Sequence, residues 1–156
     1  MIKDDIRDFF YNTRRVRPIL GIDLGEKRVG VSISDINQSI ASSYTTLPKR
    51  KFSLFSKELQ TILEKEMICG IVLGLPLNMD GSEGPKCQST RDFAKNLSNI
   101  TTIPITFWDE RLTTIAAEKS LLSADLSRKK RLRVIDSIAA VLILQNVLDR
   151  FNNMVM

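Results

Sequence analysis

The run "ICGIVLGLP", residues 68 to 76, constrains the fold of this chain more than any other stretch. It is continuously apolar and is bounded by Gly and Pro, which is typical of a fully buried parallel β-strand. The run "IPITFWDE", residues 103 to 110, is a second buried strand of this kind and ends in two acids. Such strands occur in sheets covered by helices on both faces. The chain is therefore expected to form a layered α/β domain.

The neighbouring segments predict the other elements of this domain. Three further strands are predicted over 19–25, 28–35 and 39–47, the first two joined as a hairpin. Helices are predicted over 52–66, 86–99, 113–125 and 134–151. This order predicts three antiparallel strands extended by right-handed strand–helix–strand crossovers. The expected architecture is a three-layer α/β/α domain with a five-stranded mixed sheet.

The first 17 residues are charged and aromatic rather than apolar, and Pro18 follows them. They are interpreted as a partly ordered amino-terminal extension, with residues 18–156 as a single domain. They contain no apolar stretch typical of a secretory signal. No run in the chain reaches the ~18 apolar residues of a membrane-spanning helix, so no membrane partner is expected.

The absence of histidine limits the chemistry that this chain can perform. None of its 156 residues is histidine, which excludes Ser-His-Asp and Cys-His catalysis. Cys69 and Cys87 lack the spacing of a zinc site or a disulfide framework, so a cytoplasmic location is the default. The net charge of +5 is compatible with a nucleic-acid partner without being diagnostic of one. A hydrolase of this composition must use carboxylates, a metal ion or both.

Carboxylates stand at three places in otherwise apolar segments. Asp23 lies inside the first predicted strand, Asp109 and Glu110 end the last one, and Asp136 lies in the closing predicted helix. Functional sites of open α/β sheets gather at the carboxyl ends of parallel strands. Each acid also has an ordinary interpretation: a turn start for Asp23, a helix-start charge for the pair, and a solvated helix residue for Asp136.

Considered together, these acids favour a metal site. Buried carboxylates repel one another and are costly unless a positive charge lies among them. Mg²⁺ or Mn²⁺ prefers such oxygen ligands. Two metals held this way can cleave a phosphodiester bond without a histidine. The pattern therefore predicts a metal-binding carboxylate cluster.

Basic and glycine-containing segments near these acids predict contacts with a nucleic-acid backbone, because backbone amides and cations bind phosphate. For Arg111, an ion pair with the adjacent acids is an equally good interpretation. For the basic run over 128–133, the alternative is a solvated helix connection. The residues predicted to bind nucleic acid are Lys27, Arg28, Gly81, Ser82, Gly84, Lys86, Arg111, Arg128, Lys129, Lys130 and Arg131.

Four motifs in this chain resemble those of the YqgF/RuvX family, in order and spacing. They are "GIDLGEKRVGVSISD", "GLPLNMDGSEGP", "FWDERLTT" and "VIDSIAAVLILQ", and the resemblance runs from about Ile19 to Leu148. Members of the family have a ribonuclease H-like fold. They were first described as Holliday junction resolvases and are now usually regarded as nucleases that mature the 5′ end of pre-16S rRNA. The resemblance implies the same fold and chemistry here.

The resemblance also implies roles for the acids. It makes Asp23 the metal ligand on the first strand and Asp136 the acid on the closing helix. Glu110 is favoured over Asp109 as the ligand after the last strand, although strand alternation alone does not decide between them. Many ribonuclease H-like nucleases place another acid at the end of the fourth strand, where this chain reads "GLP". The expected site therefore has three carboxylate positions rather than four.

The implied function is that of a metal-dependent nuclease, with Mg²⁺ or Mn²⁺, that acts in the cytoplasm on pre-16S rRNA in ribosomal subunit precursors. The chain is expected to be a monomer or homodimer. Two alternatives remain: a Holliday junction resolvase-like endonuclease acting on structured DNA, and a non-catalytic nucleic-acid-binding module. An actin-like or sugar-kinase ATPase is disfavoured, because it needs two domains around a cleft and 156 residues supply one.

Overall fold

The structure is a computed structural model that describes residues 1–13, 16–112 and 128–155. Within the last range, the side chains of 128–137 and of 155 are outside the description. The predicted helix over 113–125 therefore lies outside the described residues.

After helix α1 (Ile6–Asn12), which the sequence analysis did not predict, the described elements follow the predicted order. The strands are β1 (Ile19–Leu24), β2 (Arg28–Ser34), β3 (Ala41–Pro48), β4 (Gly70–Leu75) and β5 (Ile105–Asp109). The helices are α1 (Ile6–Asn12), α2 (Phe52–Lys65), α3 (Pro85–Ser98) and α4 (Arg128–Val155), and a 3₁₀ turn covers Glu110–Leu112. Helix α4 begins before the predicted residue 134 and includes the basic run. Among the described helices, none has both the length and the apolar character needed to cross a membrane.

The five strands form one mixed sheet in the order β3-β2-β1-β4-β5. The pairs β1–β2 and β2–β3 are antiparallel, whereas β1–β4 and β4–β5 are parallel. Ile22 is opposite Leu73, and Leu75 is opposite Asp109. The carboxyl ends of β1, β4 and β5 therefore meet at one edge of the sheet, as the sequence predicts.

Alternating side chains place one hydrophobic core on each face of the sheet. On one face, Leu20 and Ile22 of β1 join buried residues of α2 and α3. On the other, Ile19 joins Ile143 and Leu144 of α4, together with residues of α1. The predicted three-layer architecture is confirmed.

Gly21 allows α4 to lie close against β1. A Cβ at this position would be 2.8 Å from Leu144 Cβ and 3.1 Å from the Ala140 carbonyl oxygen. The Ser32 hydroxyl donates a hydrogen bond of 2.7 Å to that same carbonyl. Since Gly21 and Asp23 are two residues apart in one strand, they lie on the same face of the sheet. Helix α4 therefore packs on the face that carries Asp23.

The segment before Pro18 packs onto the domain over its described residues. Ile2 pairs with Ile105 at the edge of β5. In α1, Phe9 is fully buried, and Phe10 stacks on Phe151 of α4 with ring centroids 4.0 Å apart. Helix α1 thus contributes aromatic side chains to the core beneath α4. The division of the chain at residue 17 stays a prediction.

The burial of Phe9 predicts a large loss of stability when its ring is removed. We expect Phe9→Ala to lower the free energy of unfolding by about 3–5 kcal/mol, because the cavity left in the core cannot fully close. Tyr11 of the same helix is 89% exposed, so Tyr11→Ala should change that free energy by less than about 0.5 kcal/mol. Urea unfolding measures both. Equal effects would contradict the packing of α1.

Candidate functional site

Asp23 is a buried carboxylate near the carboxyl end of β1. It is only 5% exposed. The residue opposite it in β2 is Gly30, so this position of β2 places no side chain next to Asp23. The parallel register places Gly74 of β4 one residue beyond the Ile22–Leu73 pair. Asp23 therefore lies between two neighbouring strands that present glycine at this level of the sheet.

The Glu110 carboxylate lies over Gly74. A Cβ added to Gly74 would be 2.7 Å from Glu110 Oε1 and closer still to Cδ1 of Ile143. Because β4 lies between β1 and β5, Gly74 separates the strand that carries Asp23 from the strand that leads to Glu110. This geometry gives a steric reason why the fourth strand of this chain ends in "GLP" without the acid that many ribonuclease H-like nucleases have there. The carboxylate of Glu110 occupies the space that a side chain on β4 would take.

Asp109 is engaged by Arg111. The Arg111 Nη2 atom lies 2.8 Å from Asp109 Oδ2, Nε donates to both carboxylate oxygens, and the backbone N–H donates to Oδ1. Among the described residues, those that line the cavity beside Asp23 include Glu110 but not Asp109. The sequence analysis gave an ion pair and a phosphate contact as equally good interpretations of Arg111, and the structure shows the ion pair with Asp109.

This ion pair predicts a pH dependence of stability. Hydrogen bonds from the Arg111 side chain lower the pKa of Asp109, although burial partly opposes them. A carboxylate with a lowered folded-state pKa stabilises the fold above its unfolded pKa of about 3.9. That contribution is lost as the pH falls through the folded-state pKa.

We therefore expect Asp109→Asn to be less stable than wild type near neutral pH. The difference should shrink below about pH 4, where the unfolded carboxyl is protonated, and vanish once the folded one is too. Urea unfolding across the acid range measures it. A difference that stays constant to the lowest pH would contradict the ion pair as its source.

The cavity beside Asp23 and Glu110 has a volume of about 540 Å³ and is lined by four basic residues as well as acids. Its basic side chains are Lys27, Arg28, Lys49 and Lys86. Lys86 forms an exposed ion pair with Glu26, with Nζ 3.4 Å from Oε1. Three of these four cations were predicted to bind nucleic acid. The structure brings them to the same cavity as the two acids.

Lys49 was not singled out by the sequence analysis. It follows β3, and the pairing of Pro48 with Arg28 brings it to the start of β2. Its backbone N–H donates to the Lys27 carbonyl over 3.0 Å. The available signal was the basic cluster "PKRK" directly after the third strand. Placing Lys49 at the cavity from this cluster would have required the register between β2 and β3.

The loop between β4 and α3 contains Gly81, Ser82 and Gly84, and none of the three is among the described residues that line the cavity. The loop is closed by its own hydrogen bonds: Asp80 Oδ1 accepts from the Ser82 N–H and hydroxyl at 2.9 and 2.6 Å. Gly81 has a φ of +88°, a conformation that favours glycine. Arg111 Nη1 would lie 3.3 Å from a Cβ there. Arg111 therefore links this loop to the end of β5.

The predicted residues of α4 are described only through their backbone. Arg128, Lys129, Lys130, Arg131 and Asp136 all belong to the helix, and their side chains lie outside the described residues. Within the part of the chain that is described, no group of three potential metal ligands was found. Asp23 and Glu110 are thus the described carboxylates of the predicted metal cluster, whereas Glu26, which also lines the cavity, is paired with Lys86.

Comparison with known proteins assigns most of the chain to one family. A profile of the RuvX family, described as "Holliday junction resolvase", matches residues 17–150. A protein of Ruegeria pomeroyi named "Putative pre-16S rRNA nuclease" is 51% identical over 154 residues, covering 99% of this chain and 100% of its own. A protein of the same name from Paracoccus denitrificans is 49% identical over 150 residues, covering 96% and 95%.

Solved structures with little sequence identity share the fold. RuvC of Thermus thermophilus in complex with a Holliday junction substrate has a TM-score of 0.54 at 10% identity, covering 86% of this chain and 96% of its own. A second structure of RuvC from that organism has a TM-score of 0.51 at 9% identity, with the same coverage. The expected ribonuclease H-like fold is confirmed.

Proposed function

This chain belongs to the RuvX family, and from its membership and its site we propose that it is a metal-dependent nuclease that matures the 5′ end of pre-16S rRNA. The relatives that share about half of its residues over nearly their whole length carry the name of such a nuclease. The corresponding substrate is pre-16S rRNA within a ribosomal subunit precursor, and the corresponding location is the cytoplasm.

One observation carries the catalytic part of this proposal: the carboxylates of Asp23 and Glu110 share a cavity with four cationic side chains. Carboxylate oxygens suit a hard divalent cation such as Mg²⁺ or Mn²⁺. Glycine on β4 leaves space for the Glu110 carboxylate beside β1. The residues present therefore fit a divalent metal, with Asp23 and Glu110 as its described ligands.

Asp136 is proposed as a third ligand. It lies four residues, or about one helical turn, before Ala140, whose carbonyl accepts the hydrogen bond from Ser32 on the sheet face that carries Asp23. Its helix runs from Arg128, so the basic residues 128–131 form the first turn of the same element. We propose that these four residues contact the nucleic-acid backbone.

A divalent metal bound at this site would activate water and stabilise the charge that develops on the phosphate. Asp23 would hold its position because it lies in a strand of the sheet, and Glu110 because it directly follows one. Arg28 and Lys27, at the turn beside Asp23, would bind and orient the non-bridging phosphate oxygens. Since the chain contains no histidine, no imidazole takes part in the proton transfers.

The second candidate is cleavage of four-way DNA junctions. It is favoured by the description of the RuvX family as Holliday junction resolvases. The two candidates use the same carboxylates and differ in the nucleic acid that the surrounding cations bind.

The two candidates are separated by one comparison of substrates. Purified protein is incubated with a 5′-extended 16S precursor, either free or in a ribosomal particle, and with a four-way DNA junction, in Mg²⁺ and in Mn²⁺. We expect cleavage at the mature 5′ end of the RNA. Junction cleavage without RNA cleavage would support the resolvase. Binding of both substrates without cleavage of either would indicate the non-catalytic module.

Lys49 is predicted to contribute to binding through charge. We expect Lys49→Gln to weaken binding of RNA of any sequence and to lower the slope of log K against log [salt] by about one, because one phosphate contact is lost. Lys65, an exposed residue at the end of α2, is the matched control. Fluorescence anisotropy at several salt concentrations measures both slopes. Equal slopes for the two variants would contradict a contact between Lys49 and the RNA.

A further inference from the structure

We propose that the cavity beside Asp23 and Glu110 receives one unpaired nucleotide of the substrate strand, with its phosphate near Arg28 and its base against an apolar wall. The inference rests on the proposed function in taking a nucleic acid as the substrate. It adds the class of strand, which must be unpaired at the nucleotide that enters the site.

The apolar wall is formed by Leu24, Pro76 and Phe93, which line the same cavity as the acids. Each of the three is half-buried, so part of each side chain remains open to a ligand. The Phe93 ring is held by edge contacts with Phe52 and Phe55, at centroid distances of 5.6 and 5.7 Å. The wall is therefore a supported apolar surface. Phosphate groups alone would make no use of it.

The cationic side contains a donor that is buried without a partner. Among the described residues, Arg28 Nη1 is one of three buried side-chain nitrogen or oxygen atoms that lack a hydrogen-bond partner. A buried donor left unpaired costs free energy that a ligand can recover. A phosphate oxygen is the matching acceptor, because guanidinium groups bind phosphate strongly and often in a bidentate manner. Arg28 lines the cavity that also contains the apolar wall.

The size of the cavity sets the size of its occupant. Its volume of about 540 Å³ lies within the range of pockets that enclose one small molecule. A ligand with one anionic end and one flat, largely apolar end matches both sides of the lining. A nucleotide has this form, and its base can reach the wall only when it has left the stack of a duplex. The occupant is therefore one unpaired nucleotide.

Abasic scanning tests this assignment without altering the protein. Wild-type protein is given short single-stranded RNAs that span the mature 5′ end of 16S rRNA, each with one abasic nucleotide at a different position. We expect kcat/KM to fall about ten-fold when the abasic nucleotide is next to the cleaved bond, and to be unchanged when it lies farther away. The same value of kcat/KM at every position would overturn the proposal.

Protein variants connect the effect to the wall. Phe93→Leu should lower kcat/KM on the unmodified strand by a similar factor and lose most of the response to the abasic nucleotide. Phe52→Leu is the matched control, because Phe52 contacts the Phe93 ring and is not among the described residues that line the cavity. It should retain the full response. A full response in Phe93→Leu would overturn the role of the wall.

Binding measurements separate this proposal from the proposed function. The abasic series is repeated by fluorescence anisotropy with Asp23→Asn, which does not need to cleave. Position-dependent binding without cleavage by wild type would support the nucleotide site while the nuclease proposal fails. Cleavage with no dependence on the abasic position would support the nuclease proposal and overturn the nucleotide site. Calorimetry with free AMP tests whether the cavity instead binds a free nucleotide. Tighter binding of AMP than of the single-stranded RNA would overturn the proposal that the nucleotide belongs to a strand.

Discussion

Replacing Asp23 by Asn is expected to reduce metal-dependent cleavage by more than about 100-fold, which is the upper end of the effect of losing a residue that only supports a metal ligand. Asparagine keeps the shape of the buried side chain and removes its charge. Glu110→Gln should have an effect of similar size, because its carboxylate lines the same cavity. Initial rates at saturating Mg²⁺ measure both variants.

Asp109→Asn is the matched control for these two variants. Asp109 is adjacent to Glu110 in the chain, but its carboxylate is held by Arg111. We expect this variant to keep most of the cleavage activity while losing stability. Circular dichroism and urea unfolding establish that all three variants are folded. Wild-type activity in Asp23→Asn, or equal losses in Asp109→Asn and Glu110→Gln, would contradict the proposed metal site.

Gly74→Ala is expected to lower activity by about 100-fold through a single added methyl group. The new Cβ would lie 2.7 Å from Glu110 Oε1, which is too close for both atoms to keep their places. The carboxylate must move, and a displacement of about 1 Å in a catalytic group can reduce the rate about 100-fold. The methyl group also collides with Ile143, so stability should fall by about 1–3 kcal/mol.

A second substitution separates these two effects. Ile143→Val removes the Cδ1 atom nearest the new methyl group and leaves Glu110 unchanged. We therefore expect the double variant Gly74→Ala with Ile143→Val to recover part of the stability of Gly74→Ala without recovering its activity. Thermal unfolding and initial rates measure the two properties. Recovery of both together would mean that Gly74 matters only for the packing of α4.

The order of elements could be predicted because it depends on local patterns. Two continuous apolar runs required strands buried on both faces, and the alternation of helices and strands required crossovers. Boundaries were less exact. Helix α4 extends back to Arg128, because basic residues favour helix as well as loop, and their charge alone indicates neither.

The segment before Pro18 illustrates another limit of local patterns. Its charged residues suggested a partly ordered extension, and its sequence did not predict that Phe9 and Phe10 of α1 are buried. Their partners include Phe151, which is more than 100 residues away in the sequence. A contact of that kind leaves no periodic signal near α1, so sequence reasoning could not place it.

The sequence by itself determined which chemistry is available: carboxylates without histidine, cations near them, and a family whose motifs cover nearly the whole chain. Only the tertiary structure decided which of these residues meet. Ile105 and Phe107 of β5 belong to the core beneath α2 and α3, and Asp109 is the next residue in that alternating series. Glu110 instead begins the 3₁₀ turn and reaches over Gly74 to the cavity that Asp23 lines. The physical reason is that side-chain direction depends on the register between strands, and that register is a long-range property.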